Sequence, residues 1–141
     1  MAADTLTKEA RSELMSRIRG KDTSPEVAVR STLHRRGFRF RLHRPDLPGR
    51  PDIVLPRYKV AIFVHGCFWH LHAGCRDGRI PKSNVEFWTR KLTGNKTRDE
   101  KNMAALAATG WRPIIVWECE IERYMDKVEK LLVAHILNKA T

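Results

Sequence analysis

A short stretch in the middle of the chain concentrates the residue types that can bind a divalent metal ion and transfer protons. Asp52 follows Pro51 at the start of one apolar run, and His65 ends the next apolar run, which begins at Lys59. If the two runs are the strands of a hairpin, Asp52 and His65 lie side by side at one rim of a sheet. Mg²⁺ binds carboxylates beside substrate phosphates, and an imidazole can act as a general acid or base. The spacing therefore predicts a metal and acid/base site at this rim, with His70 within reach.

Each of these residues also has an ordinary structural interpretation. Asp52 can be a turn residue at the start of a strand. His65 and His70 can be polar side chains of a loop, although His72 adds a third imidazole within the same short stretch. Glu26 is a further acidic candidate, but in the first turn of a predicted helix a carboxylate can simply complement the helix dipole. The pattern alone leaves both interpretations open.

The cysteines suggest a second metal site. His72 and Cys75 have the short chelating spacing that zinc sites use. Cys119 lies at the end of a predicted strand and Asp99 near a predicted helix start, and together the four side chains could form a closed, structural zinc set. Alternatively, Cys119 is a buried core thiol and His72 a surface residue. Cys67 has no evident partner in the sequence, and we assign it to packing.

Three aromatic residues fall outside any periodic apolar stripe or at its margin. Phe68 and Trp69 lie in a loop between polar and basic residues, and Trp88 lies in a predicted helix. Such side chains can act as a wedge between base steps of DNA, or they can anchor a loop to the core.

The composition favours a polyanionic partner. The 141 residues include 27 Lys and Arg against 16 Asp and Glu, for a net charge of +11, which is the electrostatic footprint of nucleic-acid binding. Three cysteines argue against a disulfide framework. Without a membrane-sized apolar run or a signal-peptide core, we expect a soluble, cytoplasmic protein.

Hydrophobic periodicity predicts a single α/β domain with a small mixed sheet flanked by helices. Ser24 and Gly37 are the predicted start and stop of one helix, and a break is predicted at Gly94. The predicted helices cover residues 5–19, 24–36, 84–93, 95–108 and 120–138, and the predicted strands cover residues 38–43, 52–55, 59–65 and 111–117.

Several segments in order resemble the very short patch repair endonucleases, a family of DNA mismatch endonucleases. The likeness extends over nearly the whole chain, and its most specific part reads HGCFWH. The matching segments are Leu47–Asp52, Phe63–His70, Glu86–Trp88, Gly110–Trp111 and Val116–Cys119. The resemblance implies a restriction-endonuclease-like fold related to the PD-(D/E)xK nucleases. It also implies a strand-specific, Mg²⁺-dependent nick next to the T of a T·G mismatch, the product of 5-methylcytosine deamination.

The resemblance further implies residue roles and partners. Asp52 would hold Mg²⁺, and Val64 would be a second ligand if the metal contact at that position is the backbone carbonyl rather than a hydroxyl. His70 would transfer a proton with Glu26 nearby, and His65 would support the metal–phosphate site. Zn²⁺ would be structural, and the aromatic residues would form a wedge. The zinc ligands would be His72, Cys75, Asp99 and Cys119, and the wedge residues Phe68, Trp69 and Trp88.

The partner would be mismatched double-stranded DNA, with other mismatch-repair proteins as further candidates, and the protein would be a monomer. Residues 1–20 would form a basic arm that orders on DNA, and residues 21–141 the nuclease domain.

The sequence departs from the nuclease pattern in places. The usual (D/E)xK half is absent, as it is in the family, because Phe63–His65 stands there, and Val64 stands where relatives can carry Thr. Three rival functions remain at this point: a non-catalytic zinc-stabilised DNA-binding module, a restriction-type enzyme that cuts both strands, and an RNA-binding protein.

Overall fold

Two short apolar strands form the centre of a four-stranded mixed sheet. The structure, a computed structural model, describes residues 23–138, so the predicted helix over residues 5–19 lies outside the described residues. The elements are α1 (Ser24–Arg35), β1 (Arg41–Leu42), β2 (Ile53–Leu55), β3 (Val60–His65), α2 (Val85–Ala108), β4 (Arg112–Trp117) and α3 (Glu118–Leu137).

The strand order in the sheet is β1-β2-β3-β4. The first two pairings are antiparallel, and β3 pairs in parallel with β4. All of β2 and the first four residues of β3 are buried, as expected for strands covered on both faces. The parallel pairing requires a crossover, which α2 provides. This architecture confirms the predicted α/β fold with a mixed sheet between helices.

The alternation of side chains along β2 and β3 divides the core into two parts. Ile53, Leu55 and Ile62 face a larger cluster to which α1 and α3 contribute. Ala61 and Phe63, on the opposite face, pack with Leu106 of α2. Helices therefore cover both faces of the sheet, and the rim where β2 begins and β3 ends is left between them.

Local details differ from the sequence predictions. Thr23, not Ser24, is the N-cap of α1, with its hydroxyl 3.4 Å from the backbone nitrogen of Glu26. The predicted strand over residues 38–43 is reduced to two exposed edge residues. The break predicted at Gly94 was wrong, because α2 continues through it. Leu92 and Asn95, on either side of the glycine, are buried, so packing outweighs its cost of about 1 kcal/mol in a helix.

The C-terminal helix α3 is fixed to the sheet at its end by one side chain. The guanidinium of Arg112 donates to the carbonyl oxygens of His135 at 2.6 Å, Ile136 at 3.0 Å and Asn138 at 2.7 Å. These are carbonyls that a helix end leaves without intrahelical partners. No helix within residues 23–138 is long and apolar enough to cross a bilayer.

Candidate active site and metal centre

The β2–β3 hairpin brings Asp52 to the end of β3. The Asp52 backbone N–H donates to the Ile62 carbonyl at 3.0 Å, and the Asp52 carboxylate accepts from the Val64 N–H at 2.7 Å. His65 ends the same strand and is buried. The hairpin expected from the two apolar runs is therefore present, and it sets Asp52, Val64 and His65 at one rim.

A second carboxylate faces Asp52 from the first turn of α1. Glu26 is only 1% exposed. Its Oε2 atom lies 2.7 Å from His43 Nε2 and 3.1 Å from Arg30 Nη1. Ligand atoms of Glu26, His43 and Asp52 all lie within 4.8 Å of one another. This arrangement places two carboxylates and one imidazole at the rim, close enough together to bind a single cation.

The electrostatics of Asp52 agree with that description. Burial raises the pKa of Asp52 to about 6, the Val64 N–H opposes the rise, and the charge of Glu26 adds to it. The raised pKa means that burial disfavours the charged carboxylate, and a positive charge beside it would offset that cost. A divalent cation between Asp52 and Glu26 would supply that charge.

Two stacked imidazoles adjoin the carboxylates. The His65 and His70 rings are 3.7 Å apart at their centroids, with planes 6° apart. Asp99 Oδ2 lies 2.5 Å from His70 Nδ1, which fixes the orientation of that ring. Burial first, and then the charge of His70, lower the pKa of His65 to about 3. His65 is therefore neutral at neutral pH, and its Nδ1 is the buried side-chain polar atom without a hydrogen-bond partner within residues 23–138.

A separate cluster of thiols lies behind this rim. Cys67, Cys75 and Cys119 surround His72, whose Nδ1 is 3.6 Å from Cys67 Sγ and 3.5 Å from Cys119 Sγ. Atoms that bind a tetrahedral zinc ion at about 2.2 Å lie about 3.6 Å from one another. The donor set and its spacing therefore fit Zn²⁺.

This cluster corrects the predicted ligand set at one position. Asp99 lies against His70 rather than among the thiols, and Cys67 occupies the place assigned to it. The physical reason is the turn after β3. The Cys67 N–H donates to Glu118 Oε1 at 3.1 Å, and the His72 N–H donates to the Cys67 carbonyl at 3.0 Å. These bonds fold the loop so that Cys67 faces His72.

The protonation of the free thiols is uneven. Burial raises the pKa values of Cys67 and Cys119, whereas the backbone N–H of Asp77 lowers the pKa of Cys75. Without an ion, Cys75 is the thiol that ionises most readily. Metal binding would have to displace protons from the other two.

The three wedge candidates contact one another. Phe68 lies 5.0 Å from Trp69 and 5.3 Å from Trp88 between ring centroids. Phe87, which is 57% exposed, extends this aromatic cluster at 5.1 Å from Trp88. The side-chain amide of Asn95 donates to the Trp69 carbonyl at 3.1 Å and ties the loop to α2. The cluster lies on the surface, partly exposed, rather than in the core.

Comparison with known proteins adds family information to this geometry. A family model described as DNA mismatch endonuclease Vsr matches residues 3–76. The chain is 42% identical over 119 residues to the DNA mismatch endonuclease Vsr of Escherichia coli K12, covering 84% of this chain and 76% of that protein. The chain belongs to the Vsr family of DNA mismatch endonucleases.

Other similarities agree. This Vsr family member is 56% identical over 118 residues to the type II nicking enzyme V.XorIIP of Xanthomonas oryzae pv. oryzae, covering 84% of the chain and 86% of that protein. Its structure resembles the catalytic domain of the homing endonuclease I-Bth0305I, with a TM-score of 0.58 at 19% identity over 85% of this chain and 100% of that chain. The structural likeness supports the restriction-endonuclease-like fold.

Sequence reasoning missed two residues of this Vsr family member's clusters. His43 was only the last residue of the predicted strand over residues 38–43. The structure places it across from Asp52, whose backbone carbonyl accepts from the His43 N–H at 3.0 Å, with its side chain against Glu26. Cys67 follows a buried strand by two residues, and only the tertiary fold shows that it faces His72.

Proposed function

We propose that this protein makes a Mg²⁺-dependent nick in one strand of a mismatched DNA duplex, next to the T of a T·G mismatch left by deamination of 5-methylcytosine. The nick would initiate very short patch repair. The observation that carries the proposal is the close pair of carboxylates, half-buried Asp52 and buried Glu26, beside the His65–His70 pair at one rim. The relatives' names, a mismatch endonuclease and a nicking enzyme, support this choice of substrate.

Asp52 and the backbone carbonyl of Val64 would hold the Mg²⁺. The donors fit, since Mg²⁺ takes oxygen ligands and accepts one or two carboxylates beside substrate phosphate. When bound, the ion would neutralise charge on the scissile phosphate and lower the pKa of an attacking water. Glu26 would orient that water from the opposite side of the rim.

His70 would transfer the proton. Asp99 at Nδ1 fixes the ring, so Nε2 is the atom left to exchange a proton with the attacking water or the leaving oxygen. A positioned imidazole of this kind contributes roughly 10²–10⁴-fold to the rate. His65, neutral and stacked on His70, would support the phosphate-binding side of the site.

The remaining groups would bind and position the DNA. Zn²⁺ held by Cys67, His72, Cys75 and Cys119 would fix the loop that follows β3. Phe68, Trp69 and Trp88 would insert beside the mismatch, which costs less to unstack than a matched pair. Residues 1–20 would form a basic arm that orders on DNA, residues 21–141 would hold the nuclease, and the protein would act as a monomer.

A nicking assay tests the proposal. End-labelled duplexes with T·G or C·G at one position are incubated with Mg²⁺ and either the wild type, Asp52→Ala or Asp126→Ala, the last being an exposed carboxylate on α3. We expect a T·G-dependent nick in one strand with the wild type and Asp126→Ala and none with Asp52→Ala. A double-strand cut of the matched duplex would refute the proposed mismatch substrate. DNA binding without any cut would refute the enzymatic function.

A further inference from the structure

His43 occupies a position at the rim that no step of the proposed reaction uses. It follows the edge strand β1, and its backbone N–H donates to the Asp52 carbonyl at 3.0 Å. That bond places His43 beside Asp52 on the neighbouring strand. Its side chain reaches across to Glu26, with Nε2 2.7 Å from Glu26 Oε2. His43 thus contacts Asp52 through its backbone and Glu26 through its imidazole.

The three side chains have the spacing of a metal-ligand set. Their candidate ligand atoms all lie within 4.8 Å of one another. Adjacent ligands about 2.1 Å from an octahedral ion are roughly 3 Å apart. His43 Nε2 and Glu26 Oε2, now 2.7 Å apart in a hydrogen bond, would therefore have to separate by only a few tenths of an ångström to bind the same ion. Arg30 donates to the same Glu26 oxygen at 3.1 Å and would keep that carboxylate in place when His43 turns to an ion.

An imidazole changes which ion such a site prefers. Mg²⁺ is a hard cation that favours oxygen ligands and keeps its waters. First-row transition ions accept imidazole nitrogen readily, and their affinity for mixed nitrogen and oxygen sites rises from Mn²⁺ through Co²⁺. A set of two carboxylates and one imidazole therefore binds Mn²⁺ in preference to Mg²⁺.

We propose that His43 is a third side-chain ligand of the catalytic ion, with Glu26 and Asp52, and that it gives this site a preference for Mn²⁺ over Mg²⁺. The inference rests on the proposed function in that it concerns the same ion. It adds a nitrogen donor from the residue that follows β1, and it moves Glu26 from the surroundings of the ion into direct contact with it.

Mn²⁺ binding measured by electron paramagnetic resonance tests the proposal without relying on activity. The full chain first receives one equivalent of Zn²⁺, which the softer thiolates take preferentially. Mn²⁺ is then titrated, free Mn²⁺ is read from its signal, and pulsed measurements detect ¹⁴N coupled to the bound ion. Competition with Mg²⁺ gives the selectivity. The variants are His43→Asn, Asp52→Asn and His70→Asn.

The choice of variants separates one imidazole from the other. Asn suits position 43 because the backbone there has φ of +50°, a region that Asn tolerates better than most residues. His70→Asn is the matched control, because it removes the other imidazole near this site by the same His-to-Asn substitution. A thermal melt of each variant checks that it is folded.

We expect His43→Asn to weaken Mn²⁺ binding by roughly tenfold to a hundredfold. Removing a residue that only hydrogen-bonds to a metal ligand already costs about this much. The Mn²⁺ preference over Mg²⁺ should shrink, and the ¹⁴N coupling should vanish in His43→Asn and persist in His70→Asn. Unchanged affinity or persistent coupling in His43→Asn would overturn the inference, as would a wild type that binds no Mn²⁺. If Asp52→Asn weakens Mn²⁺ binding and His43→Asn does not, only the role of His43 is refuted. If neither substitution weakens Mn²⁺ binding, the ion site of the proposed function is refuted as well.

Discussion

Asp52 is a residue whose placement works against the stability of the metal-free fold. Its folded-state pKa of about 6 lies above its ordinary value of 3.8 because the side chain is buried near Glu26. The folded protein therefore binds the proton more tightly than the unfolded chain does. The stability that protonated Asp52 contributes is present below about pH 4 and is lost as the pH rises through about 6.

Asp52→Asn should consequently stabilise the protein at neutral pH while abolishing the nick. A pKa difference of about 2 corresponds to at most roughly 3 kcal/mol in the free energy of unfolding, and the Asn oxygen can still accept from Val64 N–H. The measurement is urea unfolding of both proteins from pH 4 to 8 without added Mg²⁺. The difference should be close to zero near pH 4 and grow through pH 6. A difference that does not vary with pH would contradict the assigned cause.

Comparison with the wild type is needed because His65 acts in the opposite direction. Its folded-state pKa of about 3 lies below its ordinary value of 6.5. The stability that neutral His65 contributes is present above pH 6.5 and is lost as the pH falls towards 3. Both proteins keep His65, so its effect cancels in the difference between them.

The zinc ligands can be assigned by exchanging single residues. Cys67→Ser should lower the zinc content or zinc affinity of the purified protein, because it removes a thiolate from the closed set. Asp99→Asn should leave one zinc per chain but slow the nick, because Asp99 contacts His70. Metal analysis of both variants beside the nicking rate checks this. Zinc loss in Asp99→Asn with full zinc in Cys67→Ser would restore the ligand set expected from the sequence.

At the scale of elements, the sequence predicted what depends on local periodicity. The apolar runs of β2 and β3 were found almost to the residue, and the hairpin they imply brought Asp52 and His65 to one rim. The break predicted at Gly94 was wrong because the low helix propensity of glycine costs less than the packing of Leu92 and Asn95 contributes. His43 and Cys67 could not be assigned because their partners, Glu26 and His72, meet them only through the turns and pairings of the tertiary fold.

Arg112 is the side chain that should determine the stability of α3. Its guanidinium binds three carbonyls at the end of the helix and the Tyr58 carbonyl at 3.3 Å. Arg112→Met keeps much of the apolar stem but leaves these carbonyls without the charged donor. We expect a loss of about 2–4 kcal/mol in the free energy of unfolding, measured by urea denaturation.

Arg123→Met is the control for Arg112, since Arg123 is exposed on the same helix. It should change stability by less than about 0.5 kcal/mol. Equal effects of the two substitutions would mean that the loss of positive charge, rather than the capping of α3, explains the result.

At the scale of the whole molecule, Trp117 joins the thiol cluster to the rim that carries Asp52 and His65. Its ring stacks on His72 with centroids 4.0 Å apart and planes 8° apart, and it meets the His65 ring edge-on at 5.2 Å. The thiol cluster and the His65–His70 pair therefore share one wall, the end of β4. An ion that fixes His72 would also hold Trp117, and through it His65.

This shared wall predicts that the two centres are coupled. Trp117→Leu should weaken zinc retention and slow the nick by about tenfold, the lower end of the effect of removing a residue that contacts a metal ligand, although Trp117 is not assigned to the reaction. Trp117→Phe keeps an aromatic face and should recover most of both properties. Zinc content under mild chelation and single-turnover nicking are measured on the same preparations. If Trp117→Leu lost zinc but nicked at the wild-type rate, the ion would stabilise only its own loop, and the coupling through Trp117 would be refuted.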